Sequence, residues 1–139
     1  MFELLKKFIQ DNCEEIIITG GVDDLMVQNV EKCLKVSLNQ EYKLFLKTYG
    51  MILGFGERFL GCGKNETMPV VEETESFRQY GLPNNMIVIS NLDEYIYCLD
   101  LLTGNVISWD MGSKKAVYED SSFGAFLYNT LVEAKEDWE

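Results

Sequence analysis

Histidine is absent from this 139-residue chain. That removes Ser-His-Asp and Cys-His catalysis, histidine acid/base steps and every His-containing metal site. Cysteine is sparse and scattered. Cys13, Cys33, Cys62 and Cys98 stand far apart with no C-x-x-C pair. They read as reduced thiols, most of them packed as small core hydrophobes. No apolar run approaches the ~20 residues that a membrane-crossing helix needs. No secretory leader is read in residues 1–10, where Glu3, Lys6 and Lys7 interrupt the apolar residues, so a cytoplasmic protein is expected.

Bases are scarce in one half only. Residues 1–64 hold nine acids against eight bases, whereas residues 65–139 hold fourteen acids against four bases (Arg78, Lys114, Lys115, Lys135). Nearly all of the net charge of −11 therefore comes from the second half. Such a surface repels phosphate backbones and anionic membranes, and it attracts basic proteins. Neither nucleic acid nor membrane is expected as a partner.

What is present is a core. Hydrophobic residues make up 47% of the chain, enough for a single globular domain over 1–139 and too many for disorder. Helical periodicity marks residues 2–12 (Leu4, Leu5, Phe8, Ile9), 24–35 (Val27, Val30, Cys33, Leu34) and the segment after Asn39 (Tyr42, Phe45, Leu46, Tyr49). Asp23 or Asp24 caps the second of these helices and Asn39 the third, and Gly50 ends the third. Glu15–Thr19 reads as an edge strand or connector, so residues 1–22 form an N-terminal helix and linker. The glycine-rich 51–64 stretch has no phosphate-loop pattern and reads as a hairpin. Residues 70–80 suggest a short helix with Phe77 and Tyr80 on its face.

Four strands follow near 86–90, 95–99, 106–109 and 116–118. Turns this short force antiparallel pairing. Asp120-Ser121-Ser122 is expected to cap a last helix bearing Phe123, Phe126, Leu127 and Leu131. Glu133–Glu139 is expected to fray, with Trp138 able to fold back. The sum is an α+β domain, an antiparallel meander in one sheet flanked by helices. Asp100 and Asp110 both follow strands and form the most tempting catalytic pair. With no nucleophile motif, histidine or metal cluster beside them, they read as turn residues. No cofactor and no metal are expected.

Three segments together resemble the SUKH superfamily, in the branch with the fungal cell-wall-assembly regulators and many bacterial proteins. The first is Val27-x-x-Val30-Glu31-x-x-Leu34, with Ser37-Leu38-x-x-Glu41-Tyr42-x-x-Phe45-Leu46-x-x-Tyr49-Gly50. The second is Ile87–Asn91 through Tyr95–Asp100, then Gly104-Asn105-Val106-Ile107-x-Trp109-Asp110. The third is Ala116 and Ser122-Phe123-x-x-Phe126-Leu127. The resemblance covers about residues 23–132. It departs at Asn39, where the family has proline; asparagine can cap the helix that proline would pre-set.

The resemblance implies a helix-flanked antiparallel sheet, binding rather than catalysis, and bacterial members that neutralise toxins, often nucleases, encoded beside them. On that reading the chain is an immunity protein whose carboxylates engage a basic toxin. The candidate contacts are Glu72, Glu73 and Glu75, with Tyr80, Asp93, Glu94, Tyr95, Asp110, Glu119 and Asp120. Tyr80, Tyr95 or Trp109 would serve as aromatic anchors. The alternative is a regulatory adaptor that binds another cellular protein.

Attraction between unlike charges sets the first prediction. Affinity for the cognate toxin falls as salt rises from 50 to about 500 mM, because the Debye length shrinks. Calorimetric titration at several salt concentrations checks it.

Overall fold

The computed structural model describes residues 2–91, 95–110, 112–113 and 115–138, with residues 95 and 115–121 described by backbone only. Each early element starts where a local signal places it. Helix α1 (Glu3–Asp11) buries Leu5. Strand β1 (Ile16–Ile18) follows, a true strand rather than a connector. Asp23 accepts from the Met26 amide at 2.9 Å and opens α2 (Asp24–Leu34). Asn39 accepts from the Tyr42 amide at 2.9 Å and opens α3 (Gln40–Thr48). Asparagine thus does by side-chain capping what proline would do by ring constraint. The two glutamates of the family-like motif have structural partners. Glu31 accepts from the Leu38 amide at 2.9 Å and so shapes the step between α2 and α3. Glu41 accepts from the Gly124 amide at 2.7 Å.

The 51–64 stretch forms a hairpin of β2 (Ile52–Gly54) and β3 (Glu57–Phe59). Its two-residue turn, Phe55-Gly56, has positive φ at both positions (51° and 80°), the geometry that matches the twist of hairpin strands. Beyond it lies α4 (Pro69–Arg78), which uses Pro69 in its first turn. It stops before Tyr80, which is 59% exposed and does not share the buried face as the periodicity suggested. Strands β4 (Met86–Ser90), β5 (Tyr95–Asp100), β6 (Asn105–Asp110) and β7 (Lys115–Ser122) form the expected antiparallel meander.

Helix α5 (Phe123–Trp138) closes the chain. Its cap differs from expectation. Strand β7 runs through Asp120 and Ser121, so of the expected trio only Ser122 caps, accepting from the Ala125 amide at 3.4 Å. The shorter bond comes from Glu41, a carboxylate at the positive end of the helix dipole. The 133–138 segment does not fray but stays helical.

The expectation of one sheet is also corrected. The strands form two hydrogen-bonded sheets, β1-β2-β3 and β4-β5-β6-β7. They meet where the Leu60 amide donates to the Ile89 carbonyl at 2.8 Å. They do not merge, because β3 has only three residues before the chain bends at Gly61. There a Cβ would collide with the Gly50 carbonyl oxygen. The outer edge of β4 is sealed by α4, whose Thr74 hydroxyl accepts from the Val88 amide at 2.9 Å. This explains why all five β4 residues are buried.

The core centres on Tyr42, which is fully buried. Its ring stacks on Phe45 at 5.6 Å and meets the edge of Phe123 at 5.1 Å. Trp109 is 6% exposed and belongs to this core rather than to a contact surface. Phe126 is only partly buried, against Phe59 and Tyr97.

Burial therefore separates two aromatic substitutions. Trp109→Ala destabilises by about 3–5 kcal/mol. The loss falls toward the lower end because the buried Trp109 Nε1 has no acceptor among the described residues. Phe126→Ala costs about 2 kcal/mol. Urea melts of the two variants check the order.

Candidate functional site

The strand registers bring one set of chain ends to one end of the sheets. Ile16 pairs with Gly54, which sets Glu15 beside Phe55. Gly54 pairs with Glu57. Arg58 Nη2 donates to Asn91 Oδ1 at 2.9 Å, beside the Leu60–Ile89 link. Tyr95 pairs with Asp110. Residues 14–15, 55–57, 91, 95 and 110 thus follow one another across six strands at a common end.

Glu73 joins this end from α4. It accepts from Asn91 Nδ2 at 2.6 Å, so the chain Arg58–Asn91–Glu73 clamps the helix to the sheets. Glu73 is half-buried there, while Glu72 and Glu75 stand exposed on α4. Burial lowers the pKa of the Arg78 guanidinium, and the Glu75 charge opposes that shift. Arg78 donates to the Leu34 carbonyl at 2.8 Å and the Asn84 carbonyl at 3.0 Å, tying the end of α4 to α2.

Asp110 holds its own turn, accepting from the Gly112 amide and the Ser113 hydroxyl, both at 3.0 Å. Tyr95 is placed by its backbone pairing alone. Asp93 and Glu94 lie outside the described residues. Glu119 and Asp120 were expected among the contacts, but they do not sit on a turn. They lie within β7, near the register shift opposite Asn105–Ile107. That is the far end of the meander from Asp110. The structure therefore brings together Glu73, Tyr95 and Asp110, keeps Glu72, Glu75 and Tyr80 on and just beyond α4, and separates Glu119 and Asp120.

Asp100 and Asp110 cannot act as a pair. They lie at opposite ends of the β5–β6 ladder, roughly 17 Å apart at strand rise. Asp100 is 2% exposed and accepts from Asn85 Nδ2 at 3.0 Å and the Leu102 amide at 2.9 Å. It is a turn-stabilising carboxylate. Among the described residues no group of Cys, Asp and Glu could hold a metal ion, and no helix is long and apolar enough to cross a membrane.

The sequence reading missed the contribution of the N-terminal connector. Asp11, Glu14 and Glu15 are exposed and line a cleft of about 440 Å³ with Phe55, Lys135 and Trp138. The signal was the β-branched Ile16–Ile18 run, whose pairing partner was not legible.

A model of the family described as SUKH_5, SMI1-KNR4 cell-wall, matches residues 1–132. The chain belongs to this SUKH family. The match includes α1 and β1, which lie outside the 23–132 stretch that carries the sequence resemblance. A crystal structure of a protein from Pseudomonas syringae pv. tomato has the same fold, with a TM-score of 0.71 and 17% identity over 92% of this chain and 98% of that one. The two chains thus share the fold at very low identity.

Burial removes two thiols from chemistry. It pushes Cys62 up to about 11 and Cys98 up to about 12, so both stay protonated at neutral pH. Cys13 and Cys33 are exposed. A disulfide exchange reagent at pH 7.5 should titrate Cys13 and Cys33 rapidly, and Cys62 and Cys98 only after unfolding. Rapid reaction at all four sites contradicts the buried placement.

Proposed function

We propose that this SUKH protein is a non-enzymatic, cytoplasmic immunity protein that neutralises a basic toxin, a nuclease in the sharpest form of the reading, by covering its cationic surface. The observation that carries this reading is the set of carboxylates at one end of a rigid double sheet. Glu14, Glu15, Glu73 and Asp110 are placed there by strand pairing and side-chain bonds, and Glu72 and Glu75 lie exposed on the adjoining α4. A nuclease must present positive charge to hold its polyanionic substrate. Carboxylates spaced on a fixed scaffold meet that charge without an ordering cost and speed the encounter.

Family membership supports the same reading, since the resemblance implies toxin neutralisation for bacterial members. The chemistry of these groups is in keeping with it: the buried thiols are protonated, and Asp100 and Asp110 are engaged in turns. A regulatory adaptor would use the same surface, and a toxin gene directly alongside separates the two readings.

The test is co-expression with the toxin domain encoded next door, read by growth rescue and pull-down. In the purified pair, Glu72→Lys with Glu75→Lys should lower the association rate roughly tenfold at low salt, with a smaller change in dissociation. An unchanged association rate removes α4 from the interface. Failure to rescue or to bind removes the immunity reading itself.

A further inference from the structure

The C-terminal end of α5 leaves an indole largely in solvent. Trp138 is 65% exposed. Among the described residues its ring makes an edge approach to Phe55 at 6.2 Å and 74°. Phe55 in turn meets Phe8 at 6.2 Å, and Phe8 meets Tyr128 at 6.1 Å. Of these rings Phe55 and Trp138 line the cleft, together with Asp11 at the end of α1 and Glu14 and Glu15 on the α1–β1 connector. Phe55 holds a left-handed backbone (φ 51°) at the hairpin turn. That geometry favours asparagine or glycine over a bulky ring, so packing against Phe8 and Trp138 holds the residue there.

An aromatic face opposite several carboxylates suits one class of group, a planar cation. Guanidinium stacks on indole and takes carboxylates in a bidentate fork, whereas ammonium is a compact point charge with stronger hydration. The cluster already accepts a cation within the chain, since Lys135 Nζ lies over the Phe8 ring at 5.9 Å. Lys135 also lines the cleft beside Phe55 and Trp138. The cleft lining still carries more acid than base, with Asp11, Glu14 and Glu15 against Lys135. The cleft also sits at the end of the sheets where Glu73 and Asp110 lie, because Glu15 and Phe55 adjoin the first rung of the β1–β2 ladder.

We propose that this cleft receives an arginine side chain of the protein partner, stacked on Trp138 and paired with Glu14 and Glu15. The inference rests on the acidic-end reading above and deepens it, naming the anchoring residue type and its receptor.

The test uses the full chain and two blocked pentapeptides, Gly-Arg-Gly-Arg-Gly and its glutamine counterpart, titrated into isotopically labelled protein. The amide and indole resonances report each site, and the buried Trp109 indole serves as an internal reference. The expected result is saturable shifts from the arginine peptide at the Trp138 indole and at residues 13–15 and 56, absent with the glutamine peptide. Trp138→Ala, at an exposed position, should keep the dispersed spectrum and weaken arginine-peptide binding roughly threefold. Glu14→Gln with Glu15→Gln should weaken it by a similar factor while leaving the aromatic wall intact. Shifts confined to the Glu73 and Asp110 region overturn the cleft assignment and leave the acidic-end reading standing. Indistinguishable responses to the two peptides overturn both.

Discussion

The buried Tyr42 side chain is the constraint on which the rest of the fold depends. Its hydroxyl donates to the Leu60 carbonyl at 2.8 Å, and its ring lies between Phe45 and Phe123. One residue thereby links α3, the exit from the hairpin and the start of α5. A buried hydroxyl is tolerated only when it is bonded, and a bonded one accepts few alternative packings. The neighbouring Glu41 reinforces the join by capping α5 through Gly124. Phe2 packs so closely on Gly124 that a Cβ there would lie 3.1 Å from its ring. Helix, hairpin and sheet are held at a single point of high density, so the loops at the edges are free to carry charge.

That division explains how a strongly acidic chain stays folded. The core residues of α3, β4 and α5 are mostly apolar and buried, while exposed acids such as Glu72, Glu75, Glu14 and Glu15 lie on α4 and on the α1–β1 connector. Some of the carboxylates are structural. Asp23 caps a helix, Glu31 and Glu41 satisfy backbone amides, and Asp100 braces a hairpin. Others project into solvent, where a partner can use them. The same residue type therefore braces the fold at some positions and faces solvent at others.

Several sequence signals proved reliable because they are local. The Asp23 and Asn39 caps, the helical stripe of α3, that of α2 apart from Cys33 (which is exposed, as is Cys13, so that half of the thiols rather than most are core), the turn at Gly50 and the antiparallel meander each depend on a few neighbouring residues. The readings that failed were those that needed a distant partner. Tyr80 follows the helical period of residues 70–80, but α4 ends at Arg78, so the ring leaves the buried face. The Asp120-Ser121-Ser122 string has cap composition, but β6 extends β7 through it by pairing, and the cap bond comes from Glu41, eighty-three residues earlier.

The candidate site divides along the same line. Composition and order determined that the chain is acidic, lacks histidine chemistry and builds an α+β domain of the SUKH family. Only the tertiary structure decided which acids share an end. Cross-strand register sets Glu15 beside the Phe55–Gly56 turn and Tyr95 beside Asp110, and it sends Glu119 and Asp120 to the opposite end. Helix periods and turn signals are written in consecutive residues, whereas register is settled by packing between segments tens of residues apart.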